Sequence, residues 1–448
     1  MFQRKALGGL FVLLMLLITI GGGLLAMRQE NQWLLVAGMM GWLAALLLFV
    51  DLFIGQKIQV GLLLLLGVIL IGFGVAAGAE INFRGIISGN TGLLTMITSV
   101  GFLRLVAIPD ESPFSRKQSS STSITELPTG RGAYGQTLLG TALFGAVINI
   151  SAPMLIADRI HQSRPLKRFT SQSVNRVFFG AAAWSPFFAG TAVVLTVVPD
   201  AQLSFIMIAG LPFAVVGLFV VYGEARWRYS AEVDDFVGYP LKVNSLLIPG
   251  LLSACVLLAS WLLPDLSILI SISLSALLIT LVMTMYRLGV GGGMSQLVQH
   301  VRYGLPRVVN ELTLFLSAGV LATGIGSMIE AGFITIPVVD FDSIVAVQIV
   351  GGMVLAGAMG IHPVILISAL TPLLLTMNPN PNLLALSYLF AWSMGTSASP
   401  LSGTHLVFQS RYGIPGWKGA MWNWPYVAVM FLFAAFWLLF IGRQFFQM

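Results

Sequence analysis

Two long apolar runs, 6–26 (ALGGLFVLLMLLITIGGGLLA) and 58–79, decide what this chain can become. Each reaches the ~20 residues that a helix needs to cross the hydrocarbon of a bilayer. The rest of the chain agrees: 57% of its 448 residues are hydrophobic and 9% are charged, against roughly 25% charged in a soluble domain. The expected fold class is an all-α polytopic membrane protein. The first run follows Arg4 and Lys5 as a secretory signal would, but it exceeds the usual ~7–15 residues of a signal core. It is read as an uncleaved first helix. The lone Cys255 excludes an internal disulfide and a cysteine metal site. The net charge of +6 follows the topology of the chain and does not mark a nucleic-acid partner.

Hydrophobic stretches lie near 6–27, 33–54, 58–79, 86–108, 133–157, 174–198, 202–222, 245–263, 265–286, 308–333, 341–377, 383–408 and 420–441. Lys and Arg collect in cytoplasmic loops. If every stretch crossed once, the basic loops 109–131 and 158–173 would face opposite sides. The conflict disappears if 133–157 enters from inside, turns and leaves by the same side. Segment 341–377, too long for one crossing and without flanking basic residues, suits a second hairpin entering from outside. The expectation is about eleven transmembrane helices plus two re-entrant hairpins, N-terminus in and C-terminus out. On it, only Arg28, Arg84 and Arg443 of 23 basic residues face out.

Two halves of the chain repeat one another. Asn90 and Asn310 open comparable spans. The hairpins turn at Asn149-Ile150-Ser151-Ala152-Pro153 and at Gly360-Ile361-His362-Pro363. Each is followed by a break, Ser185-Pro186…Gly190-Thr191 and Ser399-Pro400…Gly403-Thr404. The offsets are 220, 210 and 214, so order and spacing are both kept. The hairpins enter from opposite sides, which makes the repeat inverted. Inverted repeats with paired broken helices point to a secondary transporter whose site lies near the midplane. Backbone that leaves helical geometry in lipid must be satisfied by protein or by water in a cavity. The chain therefore divides into three N-terminal helices (1–85), a first repeat (86–223; hairpin 133–157, broken helix 174–198), connecting loops and helices (224–307) and a second repeat (308–448; hairpin 341–377, broken helix 383–408).

This order of scaffold helix, inner hairpin, broken helix, scaffold helix, outer hairpin and broken helix resembles the ion transporter superfamily. Its best-described branch is the divalent anion:sodium symporters. The resemblance covers about 86–223 and 308–441. In that family a Ser-Asn-Thr motif at each tip and a Gly-Thr-Pro-type loop in each broken helix bind sodium and a carboxylate. Here the tips read Asn149-Ile150-Ser151 and Gly360-Ile361-His362, and the breaks SPFFAGT and SASPLSGT, so architecture transfers better than substrate. By carry-over, Asn149, Ser151, Ser185 and Thr191 line one half of the site, and His362, Thr396, Ser397, Ser399 and Thr404 the other. None is assigned as a ligand of a resident metal. Family members commonly form homodimers, which extends that expectation to this chain. The implied function is ion-coupled transport of a small anionic solute, with Na⁺ or H⁺ as coupling ion and no other cofactor, in the cytoplasmic (inner) membrane.

Blander readings stand beside these. A Ser-Pro pair in a membrane helix can be a simple kink. His362 fits a proton acceptor, a donor to substrate or a structural residue equally, and His405 reads as structural. Glu311 and Glu330 sit near the ends of their span, where they would be wet, and Arg104 anchors at the headgroups. No deep Arg or Lys stands out. GVGGG at 289–293 lacks the Lys-Ser/Thr of a phosphate loop and is read as a hinge between the halves. An enzyme is not expected, because no HExxH or paired-carboxylate motif appears. A cation exchanger on the same scaffold remains the alternative; it needs a buried carboxylate.

Overall fold

Proline, glycine and small polar pairs decide where helices begin and end in this chain, because its apolar background favours helix everywhere else. The computed structural model describes residues 2–26, 32–107, 128–148, 151–163, 165–238, 247–263, 265–334 and 340–446. In the N-terminal part the helices are α1 (Phe2–Ala26), α2 (Trp33–Leu48), α3 (Ile54–Ala76), α4 (Phe83–Ser88), α5 (Thr91–Phe102) and α6 (Arg104–Ala107). Next come α7 (Gly130–Ile148), α8 (Ser151–Ser163), α9 (Arg168–Gly180), α10 (Ala189–Val197), α11 (Leu203–Arg228) and α12 (Ser230–Asp234). Then follow α13 (Leu247–Leu262), α14 (Ile268–Gln299), α15 (Val309–Glu330), α16 (Ser343–Ala358) and α17 (Pro363–Leu375). The chain closes with α18 (Pro381–Ala398), α19 (Gly403–Tyr412) and α20 (Gly416–Ile441). Among the described residues the only extended pairing is one isolated bridge, Thr129 with Val237.

Seven of the described helical runs are long and apolar enough to cross a membrane: Gln3–Leu25, Trp33–Asp51, Ile54–Ala76, Phe83–Val106, Leu203–Arg228, Ile268–Glu330 and Gly416–Phe445. Large apolar side chains such as Phe219 on α11 and Leu432 on α20 stand more than half exposed, as a lipid-facing surface requires. The chain is an all-α, multi-pass membrane protein.

The helices form two groups. In one, α1–α6 pack with α14 and α15; in the other, α7–α12 pack with α16 and α18–α20, and α17 lies between them, packed chiefly on α15. The first group is held by small residues that let backbones approach. Gly67 on α3 lies against Val320 and Leu321, and Gly74 against Ser327, so α3 and α15 run parallel. Gly8 against Leu48 and Gly41 against Met15 make α1 and α2 antiparallel. Gly92 beside Leu269, and Arg287 donating to the Val106 carbonyl at 2.8 Å, make α5 and α14 parallel. At the centre of the second group are α9, buried from Phe169 to Gly180, and α18, buried from Leu383 to Ala398.

Local chemistry accounts for the ends. Asn380 caps α18 by accepting from the N–H groups of Asn382 (3.0 Å) and Leu383 (3.2 Å), with Pro381 in the first turn. Asp342 caps α16 in the same way, accepting from Val345 at 2.8 Å. Between α16 and α17 the chain reverses at Gly360, whose φ of +94° suits only glycine comfortably. The stretch 287–307 is helical on either side of a kink in the GVGGG run. Gly289 (φ 70°, ψ 169°) leaves helical geometry, and a Cβ on Gly293 would stand 3.2 Å from the Met285 backbone, so two helical pieces of α14 meet there at a sharp bend.

The α3–α15 seam generates a stability prediction. A Cβ on Gly67 would stand 2.8 Å from the Leu321 backbone nitrogen, whereas one on Gly61 meets nothing within 4 Å. Gly67→Val should lose roughly 1–3 kcal/mol by overpacking and lower the thermal unfolding midpoint in detergent. Gly61→Val should leave that midpoint in place.

Candidate functional site

Helix α9 ends at a short 3₁₀ turn (Ala181–Ala183), and the chain stays non-helical through Trp184–Phe188 before α10 starts; this is break 1. Helix α18 ends at Ala398 and α19 starts at Gly403, leaving break 2 at Ser399–Ser402. The hydrogen bonds of the two breaks match, position for position. Ser185 Oγ accepts from the Phe187 N–H at 3.2 Å, and Ser399 Oγ accepts from the Leu401 N–H at 3.3 Å. The Ser185 carbonyl accepts from the Phe188 N–H at 3.4 Å, the Ser399 carbonyl from the Ser402 N–H at 3.3 Å. Six residues on, a side chain returns to the same carbonyl. Thr191 Oγ1 donates to Ser185 O at 2.6 Å, and His405 Nδ1 lies 2.8 Å from Ser399 O. A serine before proline turns the chain through its own hydroxyl, and the later residue adds a partner to the serine carbonyl, whose helical i+4 donor the opened turn removes.

The breaks lie side by side. Phe179 contacts His405 at a ring-centroid distance of 5.9 Å, Gly190 lies against the Trp392 indole, and the Gln202 N–H donates to Asn382 Oδ1 at 2.7 Å. The α9–α10 pair is therefore antiparallel to the α18–α19 pair, and this register sets Ser185 level with Ser399. Each helix hairpin reaches its break. Ser185 Oγ donates to the Ala146 carbonyl near the end of α7, and Gly360 at the α16–α17 turn abuts Leu401. The closing helices correspond too: α11 and α20 each have 26 residues, with Pro212 and Pro425 ten residues in. They are antiparallel, as the Trp437 Nε1–H bond to the Ala209 carbonyl (2.7 Å) and the Phe213–Phe433 contact (6.4 Å) require.

One difference separates the halves. In the first, Gly210 of α11 presses its backbone onto the Ala183 carbonyl beside break 1. At the matching place in the second stands Asn423 of α20, whose Nδ2 donates to the Ser397 carbonyl at 3.0 Å. A side chain there holds α20 off and opens room for a buried polar network. Arg176 of α9, with 3% of its side chain exposed, donates Nε to Asn423 Oδ1 (2.9 Å), Nη1 to Glu224 of α11 (2.5 Å) and Nη2 to the Trp422 carbonyl (2.6 Å). Gln172 Nε2 donates to that carbonyl as well, at 2.8 Å. Asn423 Nδ2 also lies 3.5 Å from His405 Nε2.

Of the residues expected from sequence, Ser185 and Thr191 meet at break 1, both buried and partnered. Ser397, Ser399 and Thr404 gather at break 2. The hydroxyls of Ser397, Ser402 and Thr404 there, and Asn175 Oδ1 on α9, are buried without a hydrogen-bond partner among the described residues. Thr396 turns back to its own helix, donating to the Trp392 carbonyl at 2.7 Å. His362 caps α17, its Nδ1 accepting from the Val364 N–H at 3.3 Å, with its ring edge-on to Trp392 at 5.5 Å. Asn149 lies outside the described residues, and Ser151 is the first residue of α8, its side chain likewise outside them. Two expectations are corrected. Arg176 is a deep arginine, missed because it starts an apolar run and so looks like an interfacial charge. Glu311 is half-buried, and its Oε2 is buried with no partner among the described residues. Asn423, Glu224 and His405 carried no local signal; their connection is visible only through distant partners.

A crevice of about 400 Å³ opens between the two helix groups, lined by Asn90, Thr196, Thr323, Glu330 and Ser368 among others. It reaches Val197 at the end of α10, about 12 Å along that helix from break 1. No group of three or more His, Cys, Asp or Glu side chains among the described residues is placed to hold a metal. In comparisons with known proteins, no family model matches the chain and no curated protein matches it.

Truncating Arg176 removes the buried donor to Asn423 and Glu224, while Glu224 keeps Arg228 at 3.1 Å. Arg176→Met should therefore cost about 1–3 kcal/mol of stability, read as a fall in the unfolding midpoint. Arg228→Met, which removes only the exposed partner of Glu224, should leave that midpoint nearly unchanged.

Proposed function

We propose that the protein is a secondary carrier that moves a small anionic solute across the cytoplasmic membrane by ion-coupled alternating access. The observation that carries this reading is the duplicated break: two opened helices, hydrogen-bonded alike, antiparallel and level at the centre of the molecule. Opened helices supply free backbone groups to a solute, and their pairing in an inverted repeat is the architecture of such carriers. The unpartnered hydroxyls of Ser397, Ser402 and Thr404 beside the start of α19 add donors where helix N–H groups favour negative charge. The division into two helix groups with a crevice between them supplies a body that stays and a body that moves.

The helix directions support the two re-entrant hairpins of the expected topology; its orientation, N-terminus in and C-terminus out, rests on the placement of Lys and Arg. A single crossing by 130–163 would set α5 and α14 antiparallel, yet they run parallel. A single crossing by 343–375 would set the two broken helices parallel, yet they oppose. These directions support the reading in which both segments return to the side from which they start. Single-cysteine accessibility in membranes tests this: positions flanking each hairpin should label from one side, and labelling from opposite sides overturns the reading.

Ligand-shift thermal screening of the purified protein, with and without Na⁺ and at two pH values, should find carboxylates or other small anions that raise the unfolding midpoint. Proteoliposomes should then accumulate the hit only while an ion gradient stands, and uptake that persists with ionophore refutes coupling. Ser397→Ala and Thr404→Ala should each weaken apparent affinity about tenfold, one hydrogen bond's worth, with little change in unfolding temperature.

The unpartnered, buried Glu311 Oε2 favours a second reading, cation or proton exchange on the same scaffold. Glu311→Gln separates the two. Lost exchange with no anion-dependent stabilisation supports the exchanger; retained anion uptake removes it.

A further inference from the structure

The two breaks turn on the same serine bonds, but the residue that returns to the serine carbonyl differs. At break 1 it is Thr191, which does not titrate in the physiological range; at break 2 it is His405, which does. The bonds around His405 have a fixed direction, because the groups at both ends of the chain of bonds have one role each. The Ser399 and Ser397 carbonyls only accept, and the Arg176 guanidinium only donates. His405 must therefore donate its Nδ1–H to Ser399 at 2.8 Å. Asn423 must point Oδ1 at Arg176 Nε (2.9 Å) and Nδ2 at Ser397 O (3.0 Å), which leaves Nδ2 facing His405 Nε2 at 3.5 Å. The Nε2 atom is thus an acceptor and bare of hydrogen.

We propose that His405 is the group through which protons act on this carrier: a proton taken up at Nε2 breaks its link to Asn423 and loosens the second helix break while the first stays fixed. The step is a simple protonation in which a proton from solvent adds to the Nε2 lone pair. The new N–H then points at the Asn423 amide NH₂, donor against donor. Turning the amide over does not help, because its NH₂ would then face Arg176 Nε–H and its oxygen the Ser397 carbonyl. No orientation of Asn423 serves all three neighbours at once. The amide has to leave, which frees the Ser397 carbonyl and adds positive charge beside Arg176.

The groups around the imidazole agree. From α9 come the Phe179 ring and, through Asn423, Arg176; Arg176 is itself held by Glu224 of α11. From α20 come Asn423 and Gly419, the latter against the ring, while Lys418 is exposed and stacks over Trp417 at 5.5 Å. On α19 itself, Arg411 and Tyr412 lie two turns away and bond to Asp158 of α8, each at 2.5 Å. Among the described residues no carboxylate contacts the ring to receive the new proton. At break 1, Gly210 occupies the place of Asn423, so no such conflict can arise there.

The proposal rests on the carrier reading for its meaning, but its test needs no solute. Amide hydrogen exchange of the full-length protein in detergent is followed by mass spectrometry from about pH 8 to about pH 5, the range of histidine, and corrected for the intrinsic pH dependence of exchange. Amides of 400–406 should lose protection about tenfold or more towards acid, while those of 186–192 hold theirs. His405→Thr, which gives break 2 the residue of break 1, should remove the step. Asn423→Asp supplies an acceptor to both the imidazolium and Arg176 and gives up the bond to the Ser397 carbonyl at every pH, so protection at 400–406 should no longer change towards acid. A wild-type protein without the step, a step that persists in His405→Thr, or an unchanged step in Asn423→Asp overturns the proposal. If His405→Thr does not fold, the Asn423→Asp comparison still decides. Uptake that continues while the step is absent refutes the proton role alone; a clear step in a protein that transports nothing refutes the carrier reading alone.

Discussion

An opened helix turn inside an apolar body leaves carbonyls with nothing to bond, and the centre of this molecule is arranged around two of them. Leaving such groups unsatisfied costs on the order of 1–3 kcal/mol each, so each break comes with its own repair. The serine hydroxyl turns the chain, and the residue six positions on reaches back to the serine carbonyl. Because the repair is local, each break is a defined shape and not a frayed helix end. Because the two repaired segments lie antiparallel and level, their shapes face one another. The burial of α9 and α18, the hairpin contacts through Ala146 and Gly360, and the close approach of Gly190 to Trp392 all follow from bringing these two segments together.

The halves are nevertheless not equivalent. Exchanging one glycine for one asparagine in the closing helix separates a dry, backbone-tight contact at Gly210 from a wet-chemistry pocket at Asn423. Around the first, hydroxyls are partnered. Around the second, three hydroxyls and an amide oxygen are left over, and an arginine is buried among them with a compensating glutamate. A buried ion pair is weak evidence for stability. Its presence beside the break that has spare polar groups assigns it to positioning.

Much of this was legible in the sequence, and for a physical reason. Proline, glycine and serine stand out against a lipid-soluble background, so both breaks, their order and their spacing could be read directly. What sequence reading missed lies where burial in protein replaces burial in lipid. Apolar periodicity marks surfaces that face lipid; it does not register α9, whose first turns are polar yet buried. Arg176 therefore passed as an interfacial charge, its partners lying 48 residues away at Glu224 and 247 at Asn423. The match of Thr191 with His405, in place of the Thr404 suggested by the repeated Gly-Thr, has a similar origin. Distance from the serine decides which side chain reaches its carbonyl, and the second segment is one residue shorter between Ser-Pro and Gly-Thr.

The proline-containing closing helices tie the two halves of the chain together. The Ala209 carbonyl, three residues before Pro212, takes its donor from Trp437; the Trp422 carbonyl, three before Pro425, takes its donors from Gln172 and Arg176. Each half of the molecule thus mends the other's weak point and neither mends its own. One half alone would leave the carbonyl ahead of its proline without that donor, so the two halves depend on each other from the start.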